Sequence, residues 1–77
     1  MNKFIFSYTV VYWCEERNRR FKESGVVIAE TMNGAMALVL EYYDGIECDS
    51  IEVHANAESE LPEDGNKIMD LFQEVVD

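Results

Sequence analysis

Apolar and polar positions alternate from Lys3 to Trp13. Phe4, Phe6, Tyr8, Val10 and Tyr12 share one face, and Ile5, Ser7, Thr9, Val11 and Trp13 share the other. This is the longest run of β-branched and aromatic residues in the chain, so it predicts a strand. One face is wholly apolar and the other half apolar, which suits the centre of a sheet. Cys14 to Arg20, CEERNRR, is polar and predicts a turn with an extended tip. Phe21 to Glu30 predicts a second strand, in which Gly25 marks a bulge or a close backbone approach.

Thr31 offers an N-cap hydroxyl to a helix over Met32 to Tyr43. Met32, Ala35, Met36, Val39, Tyr42 and Tyr43 follow the spacing of one helical face. Glu41 is the helix's single charge, so it is either largely buried or has a second face for a partner. Asp44-Gly45 ends it, with Gly45 suited to a left-handed residue. Cys48 to Ala57 alternates again: Ile51, Val53, Ala55 and Ala57 oppose Ser50, Glu52, His54 and Asn56. Glu58 to Glu60 reads as a loop. Pro62 suits the first turn of a last helix, whose stripe is Ile68, Leu71, Phe72, Val75 and Val76. Gly65 weakens the start of that helix.

The predicted fold is therefore a single α+β domain over residues 1–77, of order β-β-α-β-α. A three-stranded antiparallel sheet in the order 2-1-3 carries two helices on one face. The other face holds Val11, Trp13, Val26 and Ile28 among polar neighbours. It is either a contact patch or the scattered exposure normal for soluble proteins.

Charge changes this picture. The net charge is -10, from 16 acidic and 6 basic residues. Five of the cations (Lys3, Arg17, Arg19, Arg20, Lys22) fall in the first 22 residues, and Lys67 alone offsets the fourteen acids that follow. Such a field disfavours nucleic acid and anionic membranes as direct partners and favours a basic protein. The bland reading is solubility. The candidate partner-binding residues are Asp44, Glu47, Asp49, Glu52, Glu58, Glu60, Glu63, Asp64, Asp70 and Glu74. Glu63 and Asp64 also suit a helix N-terminus. A second candidate contact is the basic tip, Arg17, Arg19, Arg20 and Lys22, which suits either a partner or the acidic surface of a second copy. No apolar run approaches the roughly 20 residues of a membrane helix. The N-terminus does not match a secretory signal, so a cytoplasmic setting is expected.

Reactive chemistry finds little support. His54 is the single histidine, and Cys48 lies six residues earlier on the same strand, about 20 Å away at roughly 3.3 Å per residue. Cys14 falls near Cys48 instead; a disulfide is geometrically conceivable, but a reducing compartment favours free thiols. Two cysteines and a distant histidine do not make a zinc site. The acids around Asp44, Glu47 and Asp49 lack the calcium-loop pattern. No glycine-rich phosphate loop or Ser-His-Asp arrangement is present. Neither catalysis nor a cofactor is expected.

The passage Ser24-Gly25-Val26-Val27-Ile28-Ala29-Glu30-Thr31, leading to Ala35, resembles small proteins of phages and mobile elements. Tyr8-Thr9-Val10-Val11-Tyr12 upstream and Glu41-Tyr42-Tyr43-Asp44-Gly45 downstream extend the likeness over about two thirds of the chain. Some small acidic proteins of this kind look like anti-CRISPR inhibitors, which block the nucleic-acid groove of a Cas nuclease. The resemblance implies a host-defence inhibitor whose carboxylates imitate phosphates. A second likeness is to the ββαβ antitoxins, although no DNA-binding tail is recognisable in the sequence. The leading expectation is a non-catalytic acidic module bound to a basic host protein. The alternative is a structural or regulatory homo-oligomer built through the uncovered sheet face, or an antitoxin-like binding protein.

Overall fold

The computed structural model describes residues 3–61 and 67–76, with the backbone alone at 56–61, 67 and 69. Five elements follow in the order β1 (Lys3–Cys14), β2 (Arg19–Ala29), α1 (Met32–Tyr42), β3 (Cys48–Leu61) and β4 (Lys67–Val75). The strands form one sheet in the order β3-β1-β2-β4, and each neighbouring pair is antiparallel.

The most apolar strand lies inside the sheet, between β2 and β3. Phe6, Tyr8, Val10 and Tyr12 point from it under α1 and are buried. Their cross-strand partners on β2 are Val27, Gly25, Glu23 and Phe21, in that order. Ala35, Val39 and Tyr43 close the core from the helix. Tyr8, Val10, Val27 and Val39 are the largest fully buried side chains, and each such side chain contributes about 1.5–3 kcal/mol of hydrophobic stabilisation.

Local chemistry explains the joints. The β1–β2 hairpin turns through residues 15–18, where the Asn18 N–H donates to the Glu15 carbonyl at 3.3 Å. Asn18 takes φ 53°, a left-handed value that asparagine tolerates better than most residues. The Thr31 hydroxyl accepts from the Gly34 N–H at 3.0 Å, as an N-cap should. A Cβ on Gly34 would lie 3.2 Å from that hydroxyl oxygen, so the close cap favours glycine. At the other end Gly45 adopts φ 81° and turns the chain towards β3.

The expected last helix is corrected to a strand, and the three-stranded, two-helix fold to a four-stranded sheet with one helix. The stripe Ile68, Leu71, Phe72, Val75, Val76 owes its helix-like spacing to a bulge. The register of β4 against β2 shifts between Ser24 and Gly25, where Phe72 and Asp70 are the successive partners. Leu71 is the extra residue. It reverses the inside–outside phase of the strand, so alternation on either side of it merges into steps of three and four. Composition favours the strand too, since Ile68, Phe72, Val75 and Val76 are β-branched or aromatic. The expected loop at Glu58–Glu60 is likewise corrected: those residues continue β3 to Leu61. Pro62, Glu63, Asp64 and Gly65 lie outside the described residues.

Candidate functional site

Two clusters bring functional groups together. The first is a polar network beneath the end of α1, buried at Glu23, Tyr8, Tyr12 and Tyr43 and exposed at Asp70 and Gln73. On β2 the inward phase runs Phe21, Glu23, Gly25, Val27, Ala29, so Glu23 is carried into the core face. It is 7% exposed. Tyr12 donates a short hydrogen bond to its carboxylate. Tyr43 donates at 2.9 Å and the Gln73 amide at 2.9 Å. Gln73 also donates to the Tyr12 hydroxyl at 2.9 Å. Tyr43 reaches the Tyr8 hydroxyl at 3.3 Å, and Tyr8 donates to Asp70 at 3.4 Å. The rings pack as well, with the Tyr8 and Tyr43 centroids 6.0 Å apart in an edge arrangement.

The electrostatics follow from this packing. Burial pushes the Glu23 carboxyl up, but hydrogen bonds from Asp70, Tyr12, Tyr43 and Gln73 together outweigh it and hold it below the usual range. Asp70 moves the other way: burial, then the hydrogen bond and charge of Glu23, push it up to about 6. Below about pH 6 Asp70 therefore tends to be protonated beside the Glu23 carboxylate. Tyr8 and Tyr12 are each raised to about 12, mainly by burial, and burial raises Tyr43 as well. They remain phenols that donate hydrogen bonds. A carboxylate so surrounded by donors is saturated. The cluster is a polar clamp between β1, β2, β4 and α1.

The second cluster is open. A groove of about 510 Å³ lies at the hairpin end of the sheet, lined by Tyr12, Trp13, Cys14, Glu15, Glu16, Gly45, Ile46 and Glu47. The turn at Gly45 brings the segment between α1 and β3 back against β1, where the Trp13 N–H donates to the Glu47 carbonyl at 3.1 Å. Glu15, Glu16, Asp44 and Glu47 are exposed, and none forms an ion pair among the described residues. Ile46 adds exposed apolar surface.

The other expected contact residues are dispersed. Asp49 pairs with Arg20 of the same chain. Glu74 lies 3.8 Å from Lys22. Glu52 lies 3.5 Å from exposed His54. Asp70 joins the polar network from an exposed position on β4. Glu58 and Glu60 lie on β3, where only the backbone is described, and Glu63 and Asp64 lie outside the described residues. In the basic tip, Arg17 stacks over Phe21 at 5.4 Å and Arg20 over Trp13 at 5.6 Å. Arg19 is exposed at the start of β2. Among the described acidic candidates Glu47 lines the groove, beside Glu15 and Glu16, which sequence reasoning passes over as turn residues, and Asp44 directly precedes Gly45 of that lining in sequence.

Glu23 also escapes a reading of the sequence, although an acid in the inward phase of FKESGVVIA is a readable signal. Both cysteines are free thiols, and burial raises Cys48. Cys48 stands opposite Tyr12, while His54 stands opposite Ser7 on the other face. Among the described residues no three His, Cys, Asp or Glu side chains are placed to hold a metal ion, and no helix is long and apolar enough to cross a membrane. No protein family's sequence model matches the chain, and comparison with curated proteins and with solved structures finds no match.

Proposed function

We propose that this chain is a non-catalytic protein-binding module that receives a basic segment of another protein in the groove at its hairpin end. The observation carrying this reading is the contrast in charge pairing. Arg20, Lys22 and Lys3 are matched by Asp49, Glu74 and Glu30. The carboxylates of Glu15, Glu16, Asp44 and Glu47 at and beside the groove are left without ion pairs among the described residues. Guanidinium groups bind such carboxylates through charge-assisted, often bidentate hydrogen bonds. Tyr12 and Ile46 supply apolar contact beneath them, and the net charge of -10 steers a cationic partner inward.

The narrower form of the proposal is that the partner surface ordinarily holds phosphates. The module would then act by competing with nucleic acid, as an inhibitor of a host defence protein does. The spread of carboxylates over two adjacent turns supports that form.

The test is a titration of isotope-labelled protein with a hexa-arginine peptide, followed by amide chemical shifts. Shifts should concentrate at Glu15, Glu16, Ile46 and Glu47. Affinity should fall steeply with salt, and Glu16→Lys with Glu47→Lys should weaken it at least tenfold. Shifts spread evenly over the surface, or binding indifferent to the double reversal, would refute the assignment.

A further inference from the structure

β4 is held differently from the rest of the sheet. The buried core side chains come from β1, β2 and α1 with its cap residue Tyr43. Of the described β4 side chains, Ile68 is half-buried against that core, and those from Asp70 onward are exposed. Beyond its ladder with β2, what fixes the strand is polar. Gln73 donates to Glu23 and to the Tyr12 hydroxyl, and Asp70 accepts from Tyr8. An element with so little buried apolar surface opens locally at a lower free energy than the fold as a whole.

The polar attachment sets two carboxyl groups against each other. Glu23 comes from β2 and Asp70 from β4, and a hydrogen bond joins them while Asp70 keeps its proton. Tyr8 and Tyr12 face them from β1 and Tyr43 from the end of α1, with Tyr42 and Cys14 close behind. No ion pair reaches either carboxyl group among the described residues. Lys22 meets Glu74 on the opposite face of the sheet. Arg17 is stacked over Phe21 at 5.4 Å, and Arg19 begins β2 at the hairpin. When Asp70 ionises, its hydrogen bond to Glu23 is lost, and two negative charges face one another with no cation between them. Detachment of β4 relieves this, because Asp70 gains water while Glu23 keeps its bonds from Tyr12 and Tyr43.

We propose that β4 is a pH-controlled latch, which opens from β2 more readily once Asp70 is ionised, while β1, β2, β3 and α1 stay folded. The direction follows from Asp70, which is raised from 3.8 to about 6 in the closed strand. Closure is favoured most below pH 4, and that contribution is lost as pH rises through 6. Glu23, held low by its donors, retains two of them in the open form and so shifts the balance less. For an enclosed group the change would multiply the open population about a hundredfold. The exposure of Asp70 reduces this to about fivefold.

Backbone direction supplies the readout. The Val76 N–H donates to the Arg20 carbonyl at 3.0 Å, and consecutive residues of an antiparallel ladder point their N–H and C=O groups to opposite sides. The amides of Lys22, Glu74 and Val76 therefore close the seam between β2 and β4. Those of Val10 and Glu23 close the seam between β1 and β2. Both sets lie clear of the bulge at Leu71.

The test is amide hydrogen exchange of the unaltered protein at about pH 4 and pH 7, expressed as protection relative to an unstructured chain so that the intrinsic pH dependence cancels. Protection at Lys22, Glu74 and Val76 should fall about fivefold from the lower to the higher pH, relative to protection at Val10 and Glu23. Asp70→Asn should remove this relative fall and Glu74→Gln should keep it, with circular dichroism checking that both variants fold. An equal change at the two sets of amides would overturn the latch, because pH would then act on the whole fold. So would a constant ratio in the unaltered protein, or a fall that persists in Asp70→Asn. A fall lost only in Glu74→Gln would assign the effect to the Lys22 pair and overturn it as well. The readout needs no basic peptide, so its failure is separate from failure of the titration at the groove.

Discussion

Replacing Asp70 by asparagine should make the protein more stable at neutral pH and less sensitive to pH. Asp70 is raised from 3.8 to about 6 by burial and by the hydrogen bond and charge of Glu23. The folded state therefore holds a proton that the unfolded chain releases between about pH 4 and 6. That proton's contribution is fully present below pH 4 and is lost as pH rises through 6. A rise of that size would be worth about 3 kcal/mol for an enclosed group, since each tenfold change in acidity corresponds to roughly 1.36 kcal/mol. Asp70 is solvent-exposed on β4, so screening reduces this to about 1 kcal/mol. Glu23 acts in the opposite direction: its lowered carboxyl adds stability above its unfolded value and loses it as pH falls. It is present in both proteins, and so is the general repulsion of an acidic chain, so the difference between the two isolates Asp70. The asparagine amide can donate to Glu23 at every pH, and its carbonyl can still accept from Tyr8. Urea unfolding of both proteins from pH 4 to pH 8 is the assay. The two should differ little at pH 4, and Asp70→Asn should be ahead by about 1 kcal/mol at pH 8, or about 4–8 °C in Tm. A difference independent of pH, or a variant less stable at pH 8, would refute the raised pKa of Asp70.

Other consequences are simpler. Tyr43→Phe removes one donor from the buried Glu23 carboxylate and should cost about 2 kcal/mol in urea unfolding, more than Tyr42→Phe at the exposed neighbouring position. Val39→Ala leaves a hole between α1 and the sheet at a fully buried site and should cost about 2–3 kcal/mol. Thr31→Ala removes the helix cap and should cost about 1 kcal/mol, whereas Thr31→Gly should cost a few tenths. Asn18→Ala should destabilise the hairpin turn by about 1 kcal/mol while Asn18→Gly does not, because only the former strains a left-handed residue.

Much of the sheet is legible in the residues themselves. The alternation from Lys3 places β1 between two partners, Thr31 and Asp44-Gly45 bracket α1, and Gly25 marks the place where the register with β4 slips. The last strand is misread because Leu71 breaks its phase, and a broken two-residue period imitates a helical one. The network is invisible for a different reason. Tyr8, Tyr12, Tyr43, Glu23, Asp70 and Gln73 are spread over four elements, and only the sheet order brings them together. The groove combines a hairpin turn with the segment after α1, so Glu15 and Glu16 gain Glu47 as a neighbour only once β3 pairs with β1.

The buried carboxylate has a kinetic consequence. Tyr12 is eleven positions from Glu23, while Gln73 is fifty away. The hairpin of β1 and β2 closes a short loop and should form early, yet it exposes a carboxylate that needs its distant donor before it can be dehydrated without a large penalty. Completion therefore waits for β4. Substitutions that weaken the docking of that strand should mainly accelerate unfolding and leave the early hairpin's rate of formation almost untouched.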